Sequence, residues 1–303
     1  ENLRDLIYHL PDGYQIFAST CSDPRDWDGR ASVPLTSHDL TLSGAPIILF
    51  EIAVFLKDSG YVVVVVAPEV GPLRHYYEDV EIPVIIDPSI LDNAFLSRHF
   101  IAAFDLIIPN TILGWHTVHA AKSLNKPCIW FIHEPQEFGV SHILGHPQSR
   151  FWQAAFGLSD RVIFPAEQTV RGYEIFQRGS PFLPIVYGIE DVVDNDYPEL
   201  PGPHADRLRL VFTGTIEPRK GPDTLINGLK RLQEDTLARL EVYLVGRHFS
   251  KPYLEQIKQL AASVGNVHFV GELPRKAALA YIRSADIFIC TSRQETGPIT
   301  VYL

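Results

Sequence analysis

Methionine is absent from all 303 residues, position 1 included. Two readings follow: an excised fragment, or a sequence from which modified methionines are missing, in which case motif spacings run short by one. Cysteine is scarce. Cys21, Cys128 and Cys290 are odd in number and widely spaced, and they make no CxxC or Cys/His metal pattern, so a reducing, cytoplasmic setting is the expectation. Basic residues are outnumbered, 26 against 36 acidic, for a formal charge of −10. That argues against nucleic acid or an anionic membrane as a bulk partner and leaves room for a local basic site. Long hydrophobic runs are missing as well. The longest, near 45–56 and 61–68, are too short to span a bilayer, and no signal peptide opens the chain. Peripheral contact, at the inner face of a membrane, stays open.

What is present suits a globular chain of one large or two medium domains. Hydrophobic residues make up 46%, with 4 Trp, 12 Tyr and 17 Phe, enough to bury about three-quarters of the unfolded surface. Residues 1–30 read as an N-terminal extension, with a short strand at 14–18 and a turn-rich stretch at 23–29. A first strand is predicted at 31–37 and a buried helix at 47–57, apolar nearly all round, with Ser43 or Gly44 as N-cap, Pro46 in the first turn and Gly60 at the end. The run 61–67 is almost pure valine, the pattern of a strand covered on both faces in a parallel sheet. The βαβ alternation continues through strands at 84–87, 106–109 and 128–133, a helix at 115–124, a strand at 161–165 and a helix at 167–176. This predicts a doubly wound α/β layer with ligands beyond the carboxyl ends of its strands.

From 190 to 206 the chain is rich in Asp, Pro and Gly and without period, which marks a linker. A second alternating region follows. Its strands are expected at 210–213, 240–245, 267–270 and 285–291, with helices at 253–264 and 276–283, and Leu225, Ile226, Leu229 and Leu232 form one face of its first helix. The expected organisation is an extension (1–30), a Rossmann-like domain (31–188), a linker (189–207) and a second Rossmann-like domain (208–303), with a ligand held between the two.

Four places at strand ends carry chemistry. The loop after Phe212 runs Thr213-Gly214-Thr215-Ile216-Glu217-Pro218-Arg219-Lys220-Gly221 into a helix. Two cations beside the positive end of a helix suit a polyanion, most simply a diphosphate, although a βα turn with solvated cations has the same local sequence. Ser43-Gly44 brings backbone amides near an anion or sugar where no Cβ blocks approach; the alternative is a helix cap and nothing more, since the spacing is not G-x-G-x-x-G. His133, with Glu134 after it, ends a strand where it can donate to a sugar hydroxyl or phosphate oxygen or act as an acid or base; the alternative is a histidine satisfied by a backbone carbonyl. Glu295 lies past a strand end in the domain of Lys220.

Five pieces stand in order over 208–303: Gly214-x-x-Glu217-x-x-Lys220-Gly221, Val245-Gly246, Asn266-Val267-x-Phe269-x-Gly271, Ala285-Asp286-Ile287-Phe288 and Ser292-Arg293-x-Glu295. In order and approximate spacing they resemble the retaining, GT-B-fold glycosyltransferases of family 4 (glycosyl transferases group 1). The N-terminal half supports the resemblance more loosely, through the segment 38–46 and Ile132-His133-Glu134. The resemblance implies an α/β fold of two Rossmann-like domains, the first on the acceptor side and the second on the donor side. It implies that Lys220, helped by Arg219, neutralises the donor diphosphate, that Glu295 is the first carboxylate of a Glu-x7-Glu motif meeting donor-sugar hydroxyls, that Gly44 lies close to the diphosphate and that His133 lies near the transferred sugar and the acceptor.

No cofactor or metal is implied, and the sequence offers no Asp-x-Asp site for one. The second Glu of the motif falls at 303, where the sequence has Leu303 and stops, so the second domain is expected to be incomplete; Thr215 replaces an Arg common in relatives. The expected activity is transfer of a sugar from a nucleoside-diphosphate sugar to a hydroxyl of a glycan or lipid-linked acceptor, with retention, in surface polysaccharide or glycolipid synthesis. A non-catalytic glycosyltransferase-like binding subunit and a nucleotide-sugar epimerase on the same architecture are the alternatives.

Overall fold

The computed structural model describes residues 15–17, 29–93, 98–186, 200 and 207–297. Cys21, the expected turn-rich stretch at 23–28, most of the expected linker and Leu303 lie outside them. The chain divides into two compact units, Glu1–Tyr187 and Gly188–Leu303.

In the first unit the strands are β1 (Gln15–Phe17), β2 (Ser32–Thr36), β3 (Val62–Ala67), β4 (Val84–Ile86), β5 (Ile108–Pro109), β6 (Ile129–Phe131), β7 (Arg161–Phe164) and β8 (Phe182–Pro184). They pair in the orders β1-β4-β3-β2-β5 and β6-β7-β8. The bridges Ile107↔Cys128 and Asn110↔Phe131 join the two sets beside β5. Every pairing is parallel except that of β1, which runs antiparallel along β4. Residues 15–17 of the expected strand 14–18 therefore lie at an edge of this sheet among the described residues.

The helices are α1 (Gly44–Asp58), α2 (Leu73–Asp79), α3 (Arg98–Ala102), α4 (Trp115–Ser123), α5 (Gln136–Gly145), α6 (Ser149–Leu158) and α7 (Glu167–Tyr173). The valine run explains why helices cover both faces. Val63, Val65 and Ala67 join Leu49, Ala53, Leu73 and Tyr77 in one core, while Val64 and Val66 join Phe104, Val118 and Trp130 in the other. Each fully buried Val, Leu or Phe among them contributes about 1.5–3 kcal/mol relative to exposure. The expectation of an all-round buried α1 is corrected: Ile48, Leu49 and Ala53 are buried, but Phe55 is 70% exposed, because the helix rests on the sheet along one side.

The second unit is a four-stranded parallel sheet in the order β11-β10-β9-β12, made of β9 (Leu208–Thr213), β10 (Leu240–Val245), β11 (Val267–Gly271) and β12 (Ile287–Phe288). Its helices are α8 (Pro222–Leu229), α9 (Glu234–Ala238), α10 (Lys251–Ala261) and α11 (Arg275–Arg283). Leu210, Phe212, Val242 and Leu244 pack with Leu225, Ile226, Leu229 and Ile257. Leu232 does not join that face; α8 ends at Leu229, and Leu232 is 40% exposed beyond it. The last strand, Ile287–Phe288 beside β9, is shorter than the expected 285–291.

Candidate functional site

In the first unit the chemistry gathers where the strand order reverses. From β2 the chain steps outward through β3 and β4, then returns so that β5 lies on the other side of β2. The loops leaving β2 and β5 thus diverge, the switch-point geometry in which open α/β sheets hold ligands. His38 and Ser43-Gly44 follow β2, Asn110 and Thr111 follow β5, and His133 and Glu134 follow β6.

Asn110, which is fully buried, draws these loops together. Its Nδ2 donates to Ala45 O at 3.2 Å, in the first turn of α1 beside Gly44. Its Oδ1 lies 2.6 Å from His133 Nε2. Because the amide nitrogen is committed to a carbonyl, the oxygen faces the imidazole, so Nε2 is the protonated nitrogen and donates. The His133 ring packs 4.3 Å from that of Phe131. Burial, with His38 nearby adding to it, pushes its pKa down to about 3. Burial thus favours the neutral ring near pH 7, in which Nε2 donates,.

Glu134 turns its carboxylate back into the protein, where Oε2 accepts from the backbone N–H of Ile112 at 3.0 Å and of His133 at 3.1 Å. Burial raises its pKa to about 7 against the opposing effect of these bonds. It braces the loops after β5 and β6. Thr111 sits between them with φ 66 and ψ 167, a conformation closed to β-branched residues except under constraint. The constraint is visible: its N–H donates to Phe131 O at 2.7 Å, and its carbonyl accepts from Trp130 Nε1 at 2.7 Å. Asn110 and Thr111 do not stand out in the sequence, whereas His38 opens the segment 38–46 that supports the resemblance. The pair at 110–111 stood at a predicted strand end, and the rule that flagged His133 would have flagged it.

Gly44 opens α1 after Ser43, which is the N-cap in extended backbone without a side-chain cap bond. A Cβ on Gly44 would meet no protein atom within 4 Å, so the space above it is open.

In the second unit β9, β10 and β11 end at or beside Gly214, Gly246 and Gly271. The strand ends crowd so closely that a Cβ on Gly246 would lie 2.1 Å from Gly214 O. The chain then makes one 3-10 turn, Pro218–Lys220, and enters α8 through Gly221 at φ 67. Gly221 is required twice over: its backbone is left-handed, and a Cβ there would lie 2.2 Å from Thr291 O,.

The loop after β12 locks onto this turn. Arg293 N donates to Arg219 O at 2.8 Å, Thr291 Oγ1 donates to Gly221 O at 2.8 Å, and Arg293 also donates to Pro218 O. The Arg293 guanidinium grips Asp223 in the first turn of α8, at 3.0 and 2.6 Å, and this pairing holds the Asp223 carboxyl below its ordinary pKa. Two residues further along, Glu295 Oε1 accepts from Lys220 Nζ at 2.5 Å, and Glu295 Oε2 lies 3.9 Å from Arg219 Nη1. Arg219 donates to Glu217 Oε1 at 2.7 Å. Lys220 and Glu295 each keep 20% of their side chains exposed. Residues 75 apart in sequence thus form one compact set of two cations and two carboxylates. Among the described residues no group of three or more His, Cys, Asp or Glu side chains could hold a metal ion.

Solved structures resemble the chain in fold. Alr3699/HepE of Anabaena in complex with UDP and glucose shares 18% identity over 87% of this chain and 74% of its own, with a TM-score of 0.70. The lipopolysaccharide outer core galactosyltransferase WaaB in its apo form shares 12% over 90% and 77%, with a TM-score of 0.60. The catalytic domain of starch synthase IV from Arabidopsis thaliana, bound to ADP and acarbose, shares 12% over 89% and 80%, at 0.61. These likenesses define the class, a GT-B-type α/β protein. Residues 29–153 match the model of glycosyl-transferase family 4, and residues 197–302 match that of glycosyl transferases group 1. The two matches, one in each unit, together with the GT-B likenesses support a group 1 glycosyltransferase. No curated protein matches it.

Proposed function

We propose that the chain transfers a sugar from a nucleoside-diphosphate sugar to a hydroxyl group, with retention at the anomeric carbon and without a metal ion. The observation that carries this reading is the meeting of Lys220 and Glu295 inside the segment that matches the group 1 family. Lys220, with Arg219, receives the donor diphosphate. A leaving diphosphate gains charge as its bond to the sugar breaks, so a fixed cation stabilises the transition state more than the ground state. Glu295, which shares Lys220 in the structure, turns to the hydroxyls of the donor sugar when the diphosphate takes the lysine. Gly44 offers open backbone at the helix end near the diphosphate, and His133 is a neutral hydrogen-bonding group for the transferred sugar and acceptor.

In this reading retention comes from front-side attack. The bond from the anomeric carbon to the phosphate oxygen breaks, the bond to the acceptor oxygen forms on the same face, and the acceptor proton passes to the departing phosphate. Supporting this route over a covalent intermediate, the Glu134 carboxylate is taken up by two backbone N–H groups. The acceptor is proposed to be a glycan or lipid-linked hydroxyl in surface polysaccharide or glycolipid synthesis. Among the described residues no helix is long and apolar enough to cross a membrane, and any membrane contact proposed with that role is peripheral.

The test is a thermal-shift panel of UDP, GDP, ADP and TDP sugars, followed by transfer assays with the responding donor. A ligand that binds only the folded protein raises the melting temperature according to its affinity. One nucleotide is expected to stand out, and its sugar to be transferred with the α or β configuration kept. Binding without turnover on any acceptor would favour the binding-subunit alternative, and no response to any of the four would overturn the donor assignment.

A further inference from the structure

We infer that Asn110 is a positioning residue that sets the tautomer of His133 and ties that ring to the first turn of α1. The inference rests on the proposed function only in its kinetic part. Its structural part stands on two bonds made by one buried side chain, Nδ2 to Ala45 O at 3.2 Å and Oδ1 to His133 Nε2 at 2.6 Å. An amide is the one neutral group of this size with a donor and an acceptor on the same fixed plane. Satisfying the Ala45 carbonyl therefore obliges it to present its oxygen to the imidazole. Nε2 must then carry the ring proton, and Nδ1 becomes the acceptor atom of the ring.

The surroundings leave the amide no other arrangement. Asn110 is 0% exposed, its N–H donates to Thr36 O at 3.0 Å, and it bridges to Phe131 across the sheet. On its other side is Thr111, held at φ 66. A β-branched residue is strained in that conformation, and bonds from its N–H to Phe131 O and from Trp130 Nε1 to its carbonyl hold it there. Loops separated by 65 and 23 residues are thereby fixed to one another through a single side chain. The consequence is chemical as well as mechanical: the bond that fixes the ring in place also fixes which of its nitrogens carries the proton,.

Two measurements on the full chain test this. The first is the 15N spectrum of histidine-labelled protein at pH 7, with the His133 signals assigned by comparison with His133→Gln. The expected pattern is a neutral ring protonated on Nε2. Asn110→Asp, which places a carboxylate against the same ring, is expected to raise the pH at which His133 becomes cationic, and Asn110→Ala to give a mixture of both neutral tautomers. A wild-type ring protonated on Nδ1, or a cationic one, overturns the inference even if neither variant folds.

The second measurement is kinetic. Asn110→Ala is expected to lower kcat roughly 10- to 100-fold, the scale for misplacing a reacting neighbour, with the donor KM changed less, since Asn110 touches neither of the two cations proposed to bind the diphosphate. In a His133→Gln background the same change is expected to have no further effect on kcat. An equal loss in that background would make Asn110 merely structural and overturn the inference. Should His133→Gln leave transfer intact while the wild-type tautomer is as stated, the role of His133 in the proposed function falls and the tautomer assignment stands.

Discussion

The two units solve one task, presenting polar groups at the carboxyl ends of a parallel sheet, in opposite ways. The second unit does it with charge at the surface: Lys220, Arg219, Glu217 and Glu295 form a partly exposed set whose members can exchange partners. The first unit does it with neutral groups under cover, where Asn110 and His133 are buried and burial holds Glu134 toward its protonated form near neutral pH. Charges near water can be redirected by an arriving anion at small cost, whereas buried groups keep their orientation because any other leaves a donor or acceptor unpaired. A donor that must bind and leave suits the first kind of surface. A sugar and acceptor that must be aligned suit the second.

The sharpest break of this contrast is at Gly221. Ala there must adopt φ 67 and place its Cβ 2.2 Å from Thr291 O, so the turn carrying Lys220 has to part from the loop carrying Glu295. Gly221→Ala is expected to cost about 3 kcal/mol in stability, the scale of a strained left-handed residue together with a local clash. Chemical denaturation measures this. A loss under about 1 kcal/mol, below that scale, would mean that the two loops are not locked as described.

The next largest effect is a pH dependence confined to the first unit. The Glu134 carboxyl has its pKa raised from 4.5 to about 7, so between those values the folded state binds a proton that the unfolded chain has released. Stability from this group is therefore full below about pH 4.5 and is lost as pH rises through 7, at about 1.4 kcal/mol for each pH unit crossed, or about 3 kcal/mol in all. His133 acts in the opposite sense between about 3 and 6.5, since it stays neutral in the fold while the unfolded ring charges. Comparing the wild type with Glu134→Gln isolates the first effect, because Gln keeps an acceptor for Ile112 and His133. The wild type is expected to lose stability relative to the variant from about pH 4.5 to about pH 7.5; parallel curves would show that the carboxyl is not held protonated.

Charge in the second unit predicts a smaller change in affinity. Lys220→Ala is expected to weaken nucleoside-diphosphate binding by about 2 kcal/mol, the value of a charge-assisted contact, and to flatten its salt dependence, while the stability of the first unit is untouched. Calorimetric titration at two salt concentrations reads both. An unchanged affinity removes Lys220 from the diphosphate site.

How much of this was legible in the sequence follows the same division. The valine run at β3 gave its two-faced burial directly, since period-two alternation and β-branching are local properties,. The strand-end loops that carry Lys220, Arg219 and Glu295 were legible because their signals are short and in register. Asn110 was not, because its partners stand 65 and 23 residues away and nothing local marks an asparagine that bonds both. Glu134 stands beside His133 in the sequence, but its inward turn depends on Ile112, brought near by the long-range parallel pairing beside β5. Leu232 misled for a related reason: apolar period continues past the point where α8 stops at Leu229.

The smallest effect, and the closest comparison of the units, is at Gly44. Where Gly221 has a protein atom against it, Gly44 has none within 4 Å, and its φ lies outside the left-handed region. As the first residue of α1 it is expected to accept Ala with a gain of about 0.5 kcal/mol, since Ala loses less backbone entropy on entering a helix. If the open backbone at Gly44 meets the donor diphosphate, the added methyl group stands where the ligand must come, and the donor KM rises while the melting temperature does not fall. A glycine needed for a ligand and a glycine needed for the fold would then be told apart by one substitution in each unit. Unchanged donor kinetics in Gly44→Ala would leave Ser43-Gly44 as a helix cap and place the whole diphosphate contact in the second unit.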